Sequence, residues 1–151
     1  MNDCTRTSLD LGIVGNGTLS ALLDARGRVV WSCVPAFDGD PVFCSLLSPR
    51  TGEAGFFEVA LDDMAGCAQQ YLHNSPVLVT RLSAHDGSAI EITDFAPRCK
   101  QYGRIYHPMQ LLRRVRPLSG SPRVRLRLRP LTGYGARAPD RTFGSNHLRF
   151  G

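Results

Sequence analysis

No apolar run in this 151-residue chain approaches the roughly 20 residues that a helical membrane span needs, so no membrane helix is expected. The N-terminus carries Asp3, Arg6 and Asp10 and no apolar stretch, which is not the pattern of a secretory signal, and a cytoplasmic location is expected. The five cysteines (Cys4, Cys33, Cys44, Cys67, Cys99) contain no C-x-x-C pair and no regular spacing. They indicate neither a disulfide framework nor a zinc site, and buried free thiols are expected. The four histidines (His73, His85, His107, His147) are scattered singly, as turn or surface residues are, so no metal and no cofactor is expected. Low-complexity segments are also missing. What remains is a chain of ordinary hydrophobic content, large enough to form one domain over 1–151 and to bury about two thirds of its unfolded surface.

The signal that is present has a period of two. Leu11 to Val14 and Leu19 to Leu23 flank Asn16-Gly17, a pair that suits the positive φ angles of a type I′ hairpin turn. Asp24-Ala25-Arg26-Gly27 makes a second polar turn, and Val29 to Val34 is a β-branched and aromatic strand that Pro35 closes. Further strands are expected at Phe56 to Leu61, Val77 to Leu82, Ala89 to Phe95, Met109 to Val115 and Val124 to Leu128. His85-Asp86-Gly87 and Leu118 to Pro122 supply turns between them. Only Pro41 to Leu47 and Leu61 to Gln70 have room for a short helical turn. The rhythm is that of an all-β, antiparallel sandwich. Asn146 to Phe150 reads as a strand cut at its end, so the sandwich is expected to be incomplete at the C-terminal side, with free edges that favour association.

Two nucleotide-binding patterns fail on inspection. Gly15-Asn16-Gly17 follows an apolar strand as a dinucleotide-binding turn does, but Ser20 stands where the third glycine of G-x-G-x-x-G belongs, and there is no room for a crossover helix. The run Arg123-Val124-Arg125-Leu126-Arg127-Leu128-Arg129 alternates strictly, with Val124, Leu126 and Leu128 on one strand face and four arginines on the other. With a net charge of +5 it could attract nucleic acid, but it lacks an interleaved aromatic platform. It fits the charged face of an edge strand better, and no specific nucleic-acid partner is expected.

The run IVGNGTLSALLDARGRVVWSCVPAFDGDPVFCSLL, followed in order by Tyr71, Val77 to Thr80, Asp86-Gly87, Thr93 to Pro97, Leu112 to Val115 and Tyr134-Gly135, resembles the N-terminal domain of the trehalase-like and glucoamylase-like proteins of glycoside hydrolase family 15. The resemblance spans nearly the whole chain. It departs from the common pattern at Ala36, Gly39 and Ala96. It implies a supersandwich-like β domain that in full-length relatives precedes an (α/α)6 barrel holding the acid and base of an inverting α-glucosidic hydrolysis. Inversion needs two carboxyl groups about 6.5 to 9.5 Å apart. No such pair is evident here: Glu53, Glu58 and Glu91 are isolated, Asp38 and Asp40 share a loop, and Asp62-Asp63 looks like a turn. The chain is therefore expected to be non-catalytic by itself, a domain that docks on and shapes a catalytic barrel acting on an α-glucoside such as trehalose or maltooligosaccharides. The alternative is a free-standing carbohydrate-binding or interaction module.

The candidate contact residues are Phe37, Asp38 and Asp40, with Trp31 on the preceding strand. An aromatic ring beside carboxylates can stack on a sugar face while the acids accept its hydroxyls. The structural alternative has Asp38 and Asp40 holding the turn through nearby backbone N–H groups, with Trp31 and Phe37 in the core.

Overall fold

The computed structural model describes residues 9–47 and 53–151; Asp3, Cys4 and Arg6 lie outside them. Among the described residues there are fourteen strands and no helix. The first sheet takes β1 (Gly12–Gly15), β2 (Ser20–Leu23), β3 (Val29–Cys33), β5 (Phe56–Leu61) and β12 (Val124–Arg129) in that order, with β4 (Pro41–Phe43) on β3. The second takes β11 (Leu112–Ser119), β8 (Ala89–Phe95), β7 (Leu78–Ala84) and β6 (Met64–Tyr71). Every pairing is antiparallel. Two small hairpins, β9 (Cys99–Gln101) with β10 (Arg104–Tyr106) and β13 (Arg141–Phe143) with β14 (Leu148–Phe150), stand outside both sheets.

The two sheets bury their alternating apolar faces against each other, as a sandwich requires. Val59 and Leu61 of the first meet Leu82, Ala84, Ile90 and Ile92 of the second. Val14, Ala21, Leu23 and Val29 close over Leu78. The polar bolt through this core is Arg113 on β11. It forks onto Asp94 of β8 (Nε to Oδ1 2.7 Å, Nη2 to Oδ2 3.1 Å) and donates across to the carbonyls of Phe57 on β5 (2.9 Å) and Gly27. Its side chain is 4% exposed and that of Asp94 is 0%. Gly27 sits at φ +74°, and a Cβ there would lie 2.9 Å from Thr80 Oγ1, so this turn needs glycine both for conformation and for closeness.

Several expectations change. Asn16-Gly17 is not a two-residue I′ turn: beyond the Gly15 and Ser20 pair, Asn16 N–H bonds Leu19 O at 3.1 Å, so the two central residues are Gly17 and Thr18, of which Gly17 alone has a positive φ, +89°. The Asn16 carboxamide oxygen takes the N–H groups of Thr18 (2.9 Å) and Leu19 (3.1 Å), an Asx-type closure that reinforces the turn. The I′ geometry falls instead at Tyr102 and Gly103, φ +49° and +73°, between β9 and β10. Leu61 to Gln70, expected to have room for a helical turn, instead ends β5 at Leu61 and enters β6 at Met64, a strand because β7 offers it an unpaired edge. The Leu118 to Pro122 turn does not make a hairpin either; it carries the chain from β11 in one sheet to β12 in the other. Of the described cysteines, Cys44 is buried, Cys33 and Cys67 are partly so, and Cys99 is exposed rather than internal.

The edge position of β12 agrees with its arginine face. Arg127 Nε reaches the buried Glu58 of β5 at 2.6 Å and Arg125 approaches Asp62 at 3.6 Å. The apolar face is less covered than strict alternation implies. Leu126 pairs with Val59 and Val115 of β11 pairs with Ile92, on the side of the core, yet they are 64% and 39% exposed. Both strands end their sheets with free backbone edges. The separately expressed chain should therefore self-associate with rising concentration, and Leu126→Lys should suppress it, as measured by analytical ultracentrifugation. Identical sedimentation of both proteins up to high concentration would show that these edges are already protected.

Candidate functional site

After β3 the chain turns sharply through Pro35 to Asp40, closed by Gly39 N–H to Ala36 O (3.0 Å) and Val34 N–H to Asp40 O (3.3 Å), and returns as β4 along β3. The turn lifts Phe37 and Asp38 into solvent: Phe37 is 55% exposed, which removes it from the core alternative. Asp38 is exposed and makes no hydrogen bond or ion pair with any described residue.

Asp40 has a different task. Its two carboxylate oxygens accept the N–H groups of Gly133 (2.5 Å) and Tyr134 (2.7 Å), so it holds a turn more than 90 residues away rather than its own. That turn runs through three successive left-handed residues, Gly133, Tyr134 and Gly135, at φ +62°, +57° and +85°. Such a series of N–H groups forms a concave anion-binding nest, and Asp40 fills it. The backbone bond from Leu131 N–H to Val42 O (2.9 Å) ties the same two segments again. Tyr134, an L-residue in a conformation that favours glycine, keeps its ring 77% exposed. Phe37, Asp38 and Tyr134 thus project from two loops linked by one carboxylate. Composition alone did not single out Tyr134; its place between two glycines was the only local sign of a special turn.

Trp31 belongs to the strand rather than to the loop. It faces Leu22 across the β2–β3 pairing and is half-buried, so it supports the loop's base but is not a closed core position. Burial raises the thiols of Cys33 and Cys44 above the ordinary cysteine range, and the nearby Asp40 charge raises them further. Neither is an activated nucleophile. The buried carboxylates are committed elsewhere. Glu58 pairs with Arg127, Glu91 with Arg81 and Arg116, and Asp94 with Arg113. Hydrogen bonds from Arg81 and then Arg116 hold Glu91 below its ordinary range against its burial. A general acid needs the opposite shift. Among the described residues no three of His, Cys, Asp and Glu converge as metal ligands.

These features define a β-sandwich domain with an exposed aromatic and acidic loop, in which the buried carboxylates Glu58, Glu91 and Asp94 are all paired with arginines. The sequence model of the trehalase-like N-terminal family matches residues 5–145, and the chain belongs to that family. A trehalase of Thermoplasma volcanium is 29% identical over 130 residues, covering 85% of this chain and 20% of the relative. Trehalase 1 of Sulfolobus acidocaldarius is 40% identical over 87 residues, 58% of this chain and 15% of the relative. A trehalase of Thermoplasma acidophilum is 28% identical over 120 residues, 78% of this chain and 20% of the relative. The chain thus spans about a fifth or less of the curated relatives that it matches. No solved structure matches it.

Proposed function

We propose that this chain is the non-catalytic first domain of a trehalase-like glycoside hydrolase of family 15, and that it docks on and shapes an (α/α)6 catalytic portion that cleaves an α-glucoside such as trehalose. The family match over 5–145 carries this proposal, supported by relatives about four times as long. The engagement of Glu58, Glu91 and Asp94 by arginines agrees with it, since none is free to act as acid or base. The turn at Phe37 and Asp38 supplies the contact nearest the sugar pocket. Asp40 acts one step back, by fixing the Tyr134 turn beside it.

In the full-length enzyme, Phe37→Ala and Asp38→Ala should lower trehalose turnover at least several-fold while shifting the melting temperature by no more than a surface substitution does, about 0.5 kcal/mol or less in stability. Trp31→Ala should instead cost about 2 kcal/mol by uncovering apolar surface at the base of the loop. Unchanged kinetics for both loop variants in a folded enzyme would remove the loop from the functional account. A second reading, a carbohydrate-binding module that works without a barrel, is favoured by the joint exposure of Phe37 and Tyr134. Titration of the chain with trehalose or maltotriose, followed through the Tyr134 ring resonances, separates the two. Saturable shifts in the absence of any barrel support the module.

A further inference from the structure

Between Phe95 and Pro139 the sequence has eleven basic residues and no Asp or Glu. Four of the arginines are neutralised within the sandwich, Arg113, Arg116, Arg125 and Arg127, by Asp94, Glu91, Asp62 and Glu58. The charge of the β9–β10 hairpin is not: the side chains of Lys100 and Arg104 make no ion pair or hydrogen bond with any described residue. Residues 98–107 are exposed throughout, and the hairpin pairs with neither main sheet. Its tip, Tyr102-Gly103, leaves the Tyr102 ring 95% exposed, with Ile105 at 55% and Tyr106 at 50%. Gln101, Tyr102, Arg104, Ile105 and Tyr106 line a shallow open depression.

The base of this arm is fastened. The buried Asn16 carboxamide donates to both legs, to Pro97 O at 2.9 Å and Pro108 O at 2.7 Å. Arg98 Nη1 returns a bond to Asn16 O at 2.7 Å, and Thr18 Oγ1 meets His107 Nδ1 at 2.6 Å. An arm fixed at its root and bare at its tip loses little conformational freedom when it binds, so its apolar and cationic groups are preorganised for a partner.

We propose that the β9–β10 hairpin is a docking arm whose partner is a carboxylate-bearing protein surface with an apolar recess, on the portion of the enzyme beyond this domain. This rests on the proposed function. The absence of acids across the whole 95–139 stretch makes an acidic surface the complementary one, and Tyr102, Ile105 and Tyr106 need a recess that none of the described residues provides. Tyr102 and Tyr106 suit a stacked base as well as a recess, so the choice of a protein surface rests on Ile105, an aliphatic side chain 55% exposed that an apolar recess covers and a base or phosphate does not.

Lys100 is the only lysine in the sequence, so a link from a lysine of this domain is assigned to one position by peptide mapping. Zero-length carbodiimide coupling of the intact enzyme should join the Lys100 amine, as an amide formed with loss of water, to an Asp or Glu of the catalytic portion. Yield should fall several-fold as salt is raised, and Lys100→Arg should abolish the link while keeping the charge. When the domain and the catalytic portion are expressed separately, Lys100→Glu with Arg104→Glu should weaken their association at least tenfold. Tyr102→Ala should weaken it too, as a purely electrostatic arm would not require. An active enzyme in which Lys100 couples to nothing beyond this domain, or separate parts that bind equally well with the charge-reversed arm, would overturn the arm and leave the proposed function standing. Absence of α-glucosidic activity would remove the proposed function and the arm with it. DNA binding by the chain that survives physiological salt and is lost on reversing Lys100 and Arg104 would reassign the arm to nucleic acid.

Discussion

Replacing Arg113 by alanine is expected to destabilise the domain by about 3 to 5 kcal/mol, the effect of breaking a buried ion pair by removing one partner. At 2 to 4 °C per kcal/mol for a domain of this size, the melting temperature should fall by roughly 10 °C. The reason is that Arg113 closes several accounts at once: it bonds both oxygens of a fully buried Asp94, satisfies the Phe57 and Gly27 carbonyls across the sandwich, and lies over the Phe57 ring at 4.7 Å. Burial already pushes the Asp94 carboxyl above its ordinary range, and Arg113 is what opposes that rise. A carboxyl whose folded pKa is raised stabilises the fold in its protonated form, and that contribution is lost as pH rises through the folded value. Arg113→Ala raises Asp94 further, so the variant should be more damaged at pH 8 than at pH 5. Adding Asp94→Asn should recover part of the loss at the higher pH. Urea unfolding of the three proteins at both pH values measures this, and an Arg113→Ala protein within 1 kcal/mol of the parent would show that the pair does not bolt the sheets.

Asn16 should separate into two functions under substitution. Alanine there removes its side-chain bonds to Thr18, Leu19, Pro97 and Pro108, and at about 0.5 to 1.5 kcal/mol each a loss of about 2 to 6 kcal/mol is expected. Asn16→Asp keeps the acceptor that closes the β1–β2 loop but turns a carboxylate toward two carbonyl oxygens, so the loop should survive while the hairpin clamp fails. Hydrogen exchange should then show lost protection in β9 and β10 and near-normal protection in β1 and β2. Uniform protection in the aspartate variant would mean that the arm is held by something other than Asn16.

The strands with clear alternation were legible in advance. Ala89 to Phe95 occupies the expected bounds, and Val29 to Cys33 and Phe56 to Leu61 agree closely. The β6 strand was not legible, because Met64-Ala65-Gly66-Cys67-Ala68 has neither alternation nor β-branched residues and becomes a strand through pairing with β7. The β9–β10 hairpin escaped for a related reason: it is exposed on both faces, so burial imposes no pattern on it. In the candidate site, Phe37, Asp38 and Asp40 were found together because they are neighbours in the chain. Tyr134 was not among them, since its link to Asp40 spans 94 positions. Trp31 is shallower than its core alternative had it, because a strand aromatic can face a sheet margin as well as its centre.

By itself the sequence determined the all-β class, the antiparallel alternation, the main turns and the family resemblance. These are carried by residues a few positions apart, and period-two burial and turn conformations are set locally. Tertiary structure alone decided that β11 and β12 part into different sheets, that Asn16 roots the arm, and that Asp40 holds the Tyr134 turn. Each of those outcomes depends on which distant donor or strand edge a group meets once the chain has collapsed. A carboxylate or a carboxamide is chemically suited to many such partners, so only the folded backbone selects among them.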